Sequence, residues 1–337
     1  MLKKLFIGLC LLSLIACQWA NAQASTDELD AQNKHKLVQI KIINRISGSK
    51  VTIGSGFYIS KNGLLATNYH VVKKAVLYPD DYQVKFIDSM DVEHSAEVAN
   101  IDVVSDLALL ETSTSSTAFF ELAGSLPEKG VSILSMGNPS DIGMMVVPGT
   151  FNGLRTDTFV QYITFSGAIN SGMSGGPTIN DHSLVVGVNV RNMPGKQIGF
   201  LVPVSKLKVL IENAGDSGTA TEDELIASIR SQLIENQDKL FQQLLANEWQ
   251  VQALGDANVI NELADFMPCW GNSNKDKEKT KFTRASSNCS LDERVYLSST
   301  LTSGHALIGF SWIKSDSLTE LQLSKLYGNA LNQNYGR

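Results

Sequence analysis

Between Leu37 and Pro203 the chain is written as a succession of short β-forming runs, with no long apolar pattern of helical period among them. Leu37-Val38-Gln39-Ile40-Lys41-Ile42-Ile43 alternates apolar with polar residues over most of its length, and a second β-rich run follows at Val51 to Ser60. Asn62-Gly63 is a hairpin signal, because both residues tolerate the positive φ that tight hairpin turns demand. Leu64-Leu65-Ala66-Thr67 comes next, then runs at Tyr82 to Ile87, Ala96 to Ile101, Leu107 to Leu110, Val131 to Ser135, Met144 to Pro148, Phe159 to Phe165, Leu184 to Val190 and Ile198 to Val202. Short strands in this number, broken by Gly, Asn, Asp and Pro, predict an all-β sandwich or pair of barrels.

The pattern changes after a polar, glycine-bearing linker at 213–220. Thr221 to Glu224 has the Thr-x-x-Glu capping pattern. Leu225, Ile226, Ile229, Leu233, Ile234, Leu240, Leu244 and Leu245 then recur at helical spacing up to Trp249, which predicts a long amphipathic helix or a helix pair. Ile260 to Phe266 reads as another helix. A lysine-rich loop over Asn272 to Lys281 follows, then a hairpin of Val295 to Thr302 with Ala306 to Ile313 through Ser303-Gly304-His305, and a closing helix at Leu318 to Leu331. Residues 221–337 are therefore expected to form a smaller α+β domain of unknown role, behind an all-β domain at 36–212. A length of 337 residues with 43 % hydrophobic residues fits two such domains.

The N-terminus reads as an export leader: Lys3 and Lys4, the apolar run Leu5 to Ile15, then small residues. Ala20-Asn21-Ala22 fits cleavage after Ala22, giving a signal peptide at 1–22 and a product in the periplasm or cell envelope. Leu14-Ile15-Ala16-Cys17 supports the alternative, a lipoprotein anchored at Cys17, and that anchor is the one route to membrane contact. Apart from the leader no stretch approaches the ~18–20 apolar residues of a spanning helix. Residues 23–35 are polar and read as a flexible tether or a frayed helix.

The formal charge is −6, and residues 1–22 hold two lysines and no acids, so their removal gives −6 − 2 = −8. That balance argues against a nucleic-acid partner. Of four cysteines, Cys10 and Cys17 belong to the leader, leaving Cys269 and Cys289 as one expected disulfide in an oxidising compartment, with two free thiols as the alternative. His35, His94, His182 and His305 read as surface or loop residues; no pair has metal-ligand spacing, and no metal or cofactor is expected. Oligomeric state is not written in the sequence.

Chemistry concentrates at Asn170-Ser171-Gly172-Met173-Ser174-Gly175-Gly176-Pro177, where glycines let successive backbone N–H groups aim at one point. A serine alcohol there needs a base, and the base needs an orienting group. His70, in Thr67-Asn68-Tyr69-His70-Val71-Val72, is the candidate base at a strand end. Asp106, opening the apolar run Leu107-Ala108-Leu109-Leu110, is the candidate orienter; Asp102 and Asp91 are alternatives that open no such strand. The order His, Asp, Ser is that of chymotrypsin-like proteases.

Together, Gly54-Ser55-Gly56-Phe57, the His70 block, Asp106-Leu107-Ala108-Leu109, Gly137-Asn138-Pro139, Ala168-Ile169-Asn170, Gly172 to Pro177, Gly187-Val188-Asn189 and Gly199-Phe200-Leu201-Val202-Pro203 resemble the signature blocks of HtrA-related, trypsin-like serine proteases. The resemblance covers about residues 36 to 212. It implies two perpendicular six-stranded β-barrels, an endopeptidase acting on proteins or peptides, a His70, Asp106, Ser174 triad, and an oxyanion hole from the N–H groups of Gly172 and Ser174. Ala168, Ile169 and Val188 would line an uncharged primary pocket suited to small or medium aliphatic residues. Met173 stands where the family has Asn or Asp, and Ser166 where it has Asp. No PDZ domain is recognisable, and the Ile46 to Ile53 connection is short. The alternatives are a protease-fold binding or scaffold protein, catalytically silent or gated by its C-terminal domain, and an esterase or acyltransferase on the same triad.

Overall fold

The computed structural model describes residues 26–335, apart from 117, 139–141, 194–195, 216–217, 247, 275–280, 292 and 299, with side chains described as far as 329. The expected leader, its cleavage site and Cys17 lie outside the described residues. The chain divides into two compact units. The first comprises the residues up to Ile101, Leu107–Gly153 and Ile163–Glu222; the second comprises Asp102–Asp106, Leu154–Tyr162 and the chain from Asp223 onward.

The first unit opens with α1 (Thr26–Asn33) and a single 3-10 turn (Lys34–Lys36). Within the segment read as a tether or frayed helix, Leu29 and Asn33 are buried. They lie four residues apart and so share one helix face. Asn33 Nδ2 donates to Leu29 O at 2.8 Å and to Ser183 Oγ at 2.8 Å.

Six strands then close the first barrel: β1 (Leu37–Asn44), β2 (Lys50–Tyr58), β3 (Leu65–Thr67), β4 (Tyr82–Ile87), β5 (Glu93–Asp102) and β6 (Leu107–Glu111), in the order β1-β2-β3-β6-β5-β4. The β1–β2 register runs from Leu37↔Phe57 to Ile42↔Thr52, and β1 returns against β4 from Gln39↔Ile87 to Asn44↔Tyr82. Ile40, Ile42, Phe57, Leu65, Phe86, Leu107 and Leu109 fill its interior with no exposure. Between β3 and β4 lies α2 (Tyr69–Leu77), which buries Tyr69, Val71, Val72 and Val76. Positions 69, 72 and 76 are three and four apart, so two adjacent valines that suit a strand end continue here as a helix face.

The second barrel is β7 (Ser132–Gly137), β8 (Met145–Leu154), β9 (Ile163–Phe165), β10 (Pro177–Ile179), β11 (Val185–Asn192) and β12 (Gly199–Pro203), closed in the order β10-β11-β12-β9-β8-β7. Ile133, Phe151, Ile163, Phe165, Ile169, Met173, Val186 and Leu201 form its core. An additional helix, α3 (Val204–Ala214), follows β12 and buries Val204, Leu207 and Leu210; its Lys208 Nζ donates to Ala123 O at 2.7 Å.

The second unit carries α4 (Glu222–Ala246), the hairpin β13 (Gln250–Leu254) and β14 (Ala257–Glu262), the three-stranded sheet β15 (Cys269–Ser273), β16 (Thr283–Ser290) and β17 (Leu307–Lys314), and α5 (Glu320–Tyr335). The C-terminal region is thus α+β. The helix expected at Ile260 to Phe266 is not formed, because Gly255, at φ +68°, opens a two-residue turn that pairs Leu254 with Ala257 and extends the chain to Glu262, and a bend and turn follow. The hairpin expected of Val295 to Thr302 with Ala306 to Ile313 is likewise replaced. β17 pairs with β16 from Thr283↔Lys314 to Ser290↔Leu307, while Tyr296 bridges Thr302 within its own turn. Cys269 and Cys289 face each other in register on β15 and β16 and form the expected disulfide. Cys289 joins Leu244, Leu263, Ala264, Met267 and Leu291 in the core, against which Phe159 packs.

Candidate active site

The loop bearing Ser174 is two consecutive tight turns. Met173 N donates to Asn170 O at 3.0 Å and Gly176 N to Met173 O at 3.1 Å. The third residue of each turn is Gly172 at φ +95° and Gly175 at φ +85°, the left-handed region in which only glycine is unstrained. At Gly175 the absence of a side chain is required twice over, since a Cβ there would collide with the Ser55 carbonyl oxygen and the Thr67 hydroxyl. Neither Gly172 N nor Ser174 N donates a hydrogen bond among the described residues.

Two buried polar residues hold this loop. Ser55 on β2 donates from N to Ser174 O at 2.8 Å and from Oγ to Gly172 O at 2.7 Å, while its Oγ accepts Asn138 N at 2.8 Å and its carbonyl accepts Thr67 Oγ1 at 2.7 Å. One residue of the first barrel thereby ties the loop to β3 through its carbonyl and to the residue after β7 through its side chain. Asn189 on β11 does the same within the second barrel. Its Nδ2 donates to Met136 O at 2.9 Å and Met173 O at 3.3 Å, and its Oδ1 accepts Ser135 Oγ at 2.8 Å and Thr178 Oγ1 at 2.7 Å. Its backbone accepts Gly175 N at 2.9 Å and donates to Gly176 O at 2.8 Å. Asn189 has no solvent exposure, and full satisfaction of its amide makes that burial tolerable. In the sequence both residues stand out only as members of the blocks Gly54-Ser55-Gly56-Phe57 and Gly187-Val188-Asn189. The signal that could have singled them out is a lone polar residue at an inward position of an otherwise apolar strand.

Met173, where the family has Asn or Asp, is wholly buried in the core of the second barrel. It pegs the loop from below, a role that a polar side chain does not fill. Ser166, where the family has Asp, exchanges hydrogen bonds with β8: its N donates to Thr150 O at 3.2 Å and its Oγ accepts Thr150 N at 3.1 Å.

His70 is half-buried in the first turn of α2, rather than at a strand end as expected. The preceding Asn68 is fully buried and extended, at φ −90° and ψ 150°. β3 pairs with β6 from Leu65↔Leu110 to Thr67↔Ala108, so the end of β3 from which His70 departs lies beside the start of β6. Asp106 is the residue directly before β6, half-buried at φ +58°. The alternative acids are otherwise engaged or placed. Asp102 Oδ1 accepts Val104 N at 3.0 Å and Ser105 N at 2.8 Å, and Asp91 is an exposed turn residue at φ +60°. Ser174 Oγ donates to Val190 O at 2.9 Å.

Of the three residues read as lining the primary pocket, Ala168 is half-buried. Ile169 packs in the barrel core and Val188 has no exposure, so both stand behind a surface rather than on it. His35, His182 and His305 are exposed. His94 is not a loop residue: it lies on β5, stacked on Phe86 at 5.0 Å between ring centroids, with Nε2 2.8 Å from Asp88 Oδ2 and Nδ1 3.3 Å from Thr114 Oγ1.

Residues 54–188 match the family model of the trypsin-like peptidase domain. A DegP-like periplasmic serine endoprotease of Rickettsia conorii is 32% identical over 194 residues, 53% of this chain and 37% of that protein. The mitochondrial serine protease HTRA2 of Drosophila ananassae is 31% identical over 183 residues, 50% of this chain and 41% of that protein. In fold, the chain is similar to the Rv3671c protease of M. tuberculosis in its active form, with a TM-score of 0.51 at 18% identity over 60% of this chain and 90% of that one. The double barrel thus has the fold of trypsin-like peptidases, and its residues 54–188 match that family's model. In sequence, it is similar to HtrA-related serine proteases. The chain spans well under half the length of the two curated relatives.

Proposed function

We propose that the chain is an exported serine endopeptidase in which Ser174 attacks the scissile carbonyl, His70 takes and returns the proton, and Asp106 orients the imidazole. The observation that carries this reading is the clamped Ser174 loop. Ser55 and Asn189 hold it against the strand end that leads into His70, and among the described residues the N–H groups of Gly172 and Ser174 have no acceptor. Two such donors aimed at a tetrahedral oxyanion stabilise the transition state by about 2.7–4 kcal/mol each. In the resting geometry the Ser174 proton lies on Val190 O, so attack requires the hydroxyl to turn from that carbonyl toward His70. A hydroxyl that stays on Val190 O is also compatible with the second reading, a protease-fold binding or scaffold protein that is catalytically silent or gated by its C-terminal domain.

A primary pocket bounded by Ala168 over an apolar core carries no charge, which favours small or medium aliphatic side chains. Cleavage after Ala22, or anchoring at Cys17, would deliver the protein to the periplasm or cell envelope, the setting named for its DegP-like relatives.

The test is labelling by an active-site fluorophosphonate together with hydrolysis of unfolded protein. Wild type should be labelled and Ser174→Ala should not; Asp106→Asn should fall about 10⁴-fold in kcat by presenting the wrong tautomer. A folded wild type that resists the probe and cleaves no peptide would refute the enzyme reading. Ester turnover without proteolysis would instead indicate an acyl-transfer enzyme on the same groups.

A further inference from the structure

The acid assigned to the triad ends a turn, Asp102–Asp106, that joins two strands of the first barrel. Asp102–Asp106 clusters with the second unit. Within that turn Asp102 Oδ1 takes the N–H groups of Val104 and Ser105. The remaining amide before Ser105, that of buried Val103, donates to Gln232 Oε1 at 2.7 Å, 129 residues further along the chain. Gln232 lies on α4, and its own amide is aimed by the bond from Nε2 to Ser228 Oγ, 2.9 Å, one helical turn away. The turn then ends on Asp106 in the left-handed region, which an aspartate tolerates but does not favour over extended backbone. A residue in that conformation persists where the surrounding structure over-determines it, its flanking backbone included.

We propose that Gln232 is a positioning residue for proton transfer: by accepting the Val103 N–H it fixes the turn that presents Asp106, so the protease depends on a helix outside its barrels. The proposal rests on Asp106 being the orienting acid. Gln232 touches neither substrate nor reacting atoms; it acts through the backbone of residues 103 to 106. Water is a poor substitute for it, because the Val103 amide is buried and a mobile acceptor would leave the turn with more than one arrangement.

The full chain carrying Gln232→Met, which keeps length and volume but has no carbonyl acceptor, is compared with Gln232→Glu, which keeps the acceptor and can still bond Ser228 through the serine proton. Gln232→Met should lower kcat about tenfold, the worth of one buried hydrogen bond, with KM within about twofold of wild type. Gln232→Glu should stay within about twofold in both. Unchanged kcat in Gln232→Met, or an equal loss in Gln232→Glu, overturns the assignment. A readout free of turnover uses the Ser174→Ala background, in which the His70 Nδ1–H proton resonance is followed by NMR. It should weaken or move in Gln232→Met and persist in Gln232→Glu. If it is the same in all three, Gln232 does not position Asp106. If it responds as expected while wild type cleaves nothing, the positioning stands and the protease reading fails.

Discussion

Asn189→Asp tests the buried hub beneath the Ser174 loop with a change of one atom type. The wild-type amide offers two donors, to Met136 O and Met173 O, and one acceptor, to Ser135 Oγ and Thr178 Oγ1. An ionised carboxylate in the same place would point an oxygen at two carbonyl oxygens with no solvent exposure. It therefore folds protonated, donating to Met136 O, and its pKa in the folded state is raised. Holding it neutral at pH 7, from an unfolded value of about 3.9, costs up to about 4 kcal/mol at 1.36 kcal/mol per unit. The donor lost to Met173 O adds little, since that carbonyl also accepts Gly176 N. Allowing about 1 kcal/mol for that loss, the total is about 5 kcal/mol at pH 7 and about 1.5 kcal/mol at pH 4. The sign follows from the raised pKa: the penalty is small below the unfolded value and grows as pH rises above it.

The assay is urea unfolding at both pH values, each compared with wild type under the same conditions. Far-UV circular dichroism is the appropriate signal for the barrels, because the tryptophans after the leader, Trp249, Trp270 and Trp312, all fall in the C-terminal region. Asn189→Ala should instead destabilise by a similar amount at both pH values. Equal destabilisation of Asn189→Asp at pH 4 and pH 7, or a loss under about 1 kcal/mol at pH 7, would refute the reasoning that this amide is a closed, buried hub.

Three further outcomes are expected. Met173→Ala should cost about 2–5 kcal/mol of barrel stability by opening a cavity under the loop, and should reduce fluorophosphonate labelling more than urea destabilisation alone accounts for; full labelling with unchanged stability would contradict a peg role. Reduction of the Cys269–Cys289 disulfide, separated by 20 residues, should destabilise the C-terminal region by about 3 kcal/mol. That loss should appear as an earlier tryptophan-fluorescence transition with dithiothreitol, and two thiols titrating in the unreduced, denatured protein would show that the bridge is not formed. At Asp88, burial pushes the carboxyl up, but the His94 hydrogen bond and the amides of Val92 and Met90 outweigh it, and the net shift is downward. A lowered folded pKa stabilises above the ordinary carboxylate value and is lost as pH falls through the folded one. Asp88→Asn should therefore narrow its stability gap to wild type below about pH 4; a gap that widens on acidification would reverse the assignment.

The catalytic candidates were legible because each stands in a local pattern with a physical reason. Gly172 and Gly175 were readable as turn glycines, and their positive φ confirms that geometry. Asp106 stood out as an acid opening an apolar run, and His70 as an imidazole after a strand. The helix around His70 was not readable, since Tyr69, Val71, Val72 and Val76 satisfy both a strand end and a short helix face until something packs against them. The clamps were not readable either: Ser55 and Gly172 are 117 residues apart, and Ser135 and Asn189 are 54 apart. In the C-terminal region, Ala306 to Ile313 was recognised as a strand, but its partner was misassigned, because alternation defines a face and not a neighbour.

By itself the sequence determined which segments extend, where the chain turns, that residues 36 to 212 resemble a protease, and which serine, histidine and aspartate are its candidates. Those properties are carried by neighbouring residues: side-chain period, the backbone angles a glycine permits, the burial an apolar run demands. The tertiary structure alone decided that β16 takes β17, that a buried Ser55 and Asn189 grip the Ser174 loop, and that the turn ending in Asp106 is closed by Gln232. Each is a pairing of single polar groups far apart along the chain. A buried N–H or hydroxyl must find an acceptor, but which acceptor it finds is set only when packing brings the two within about 3 Å.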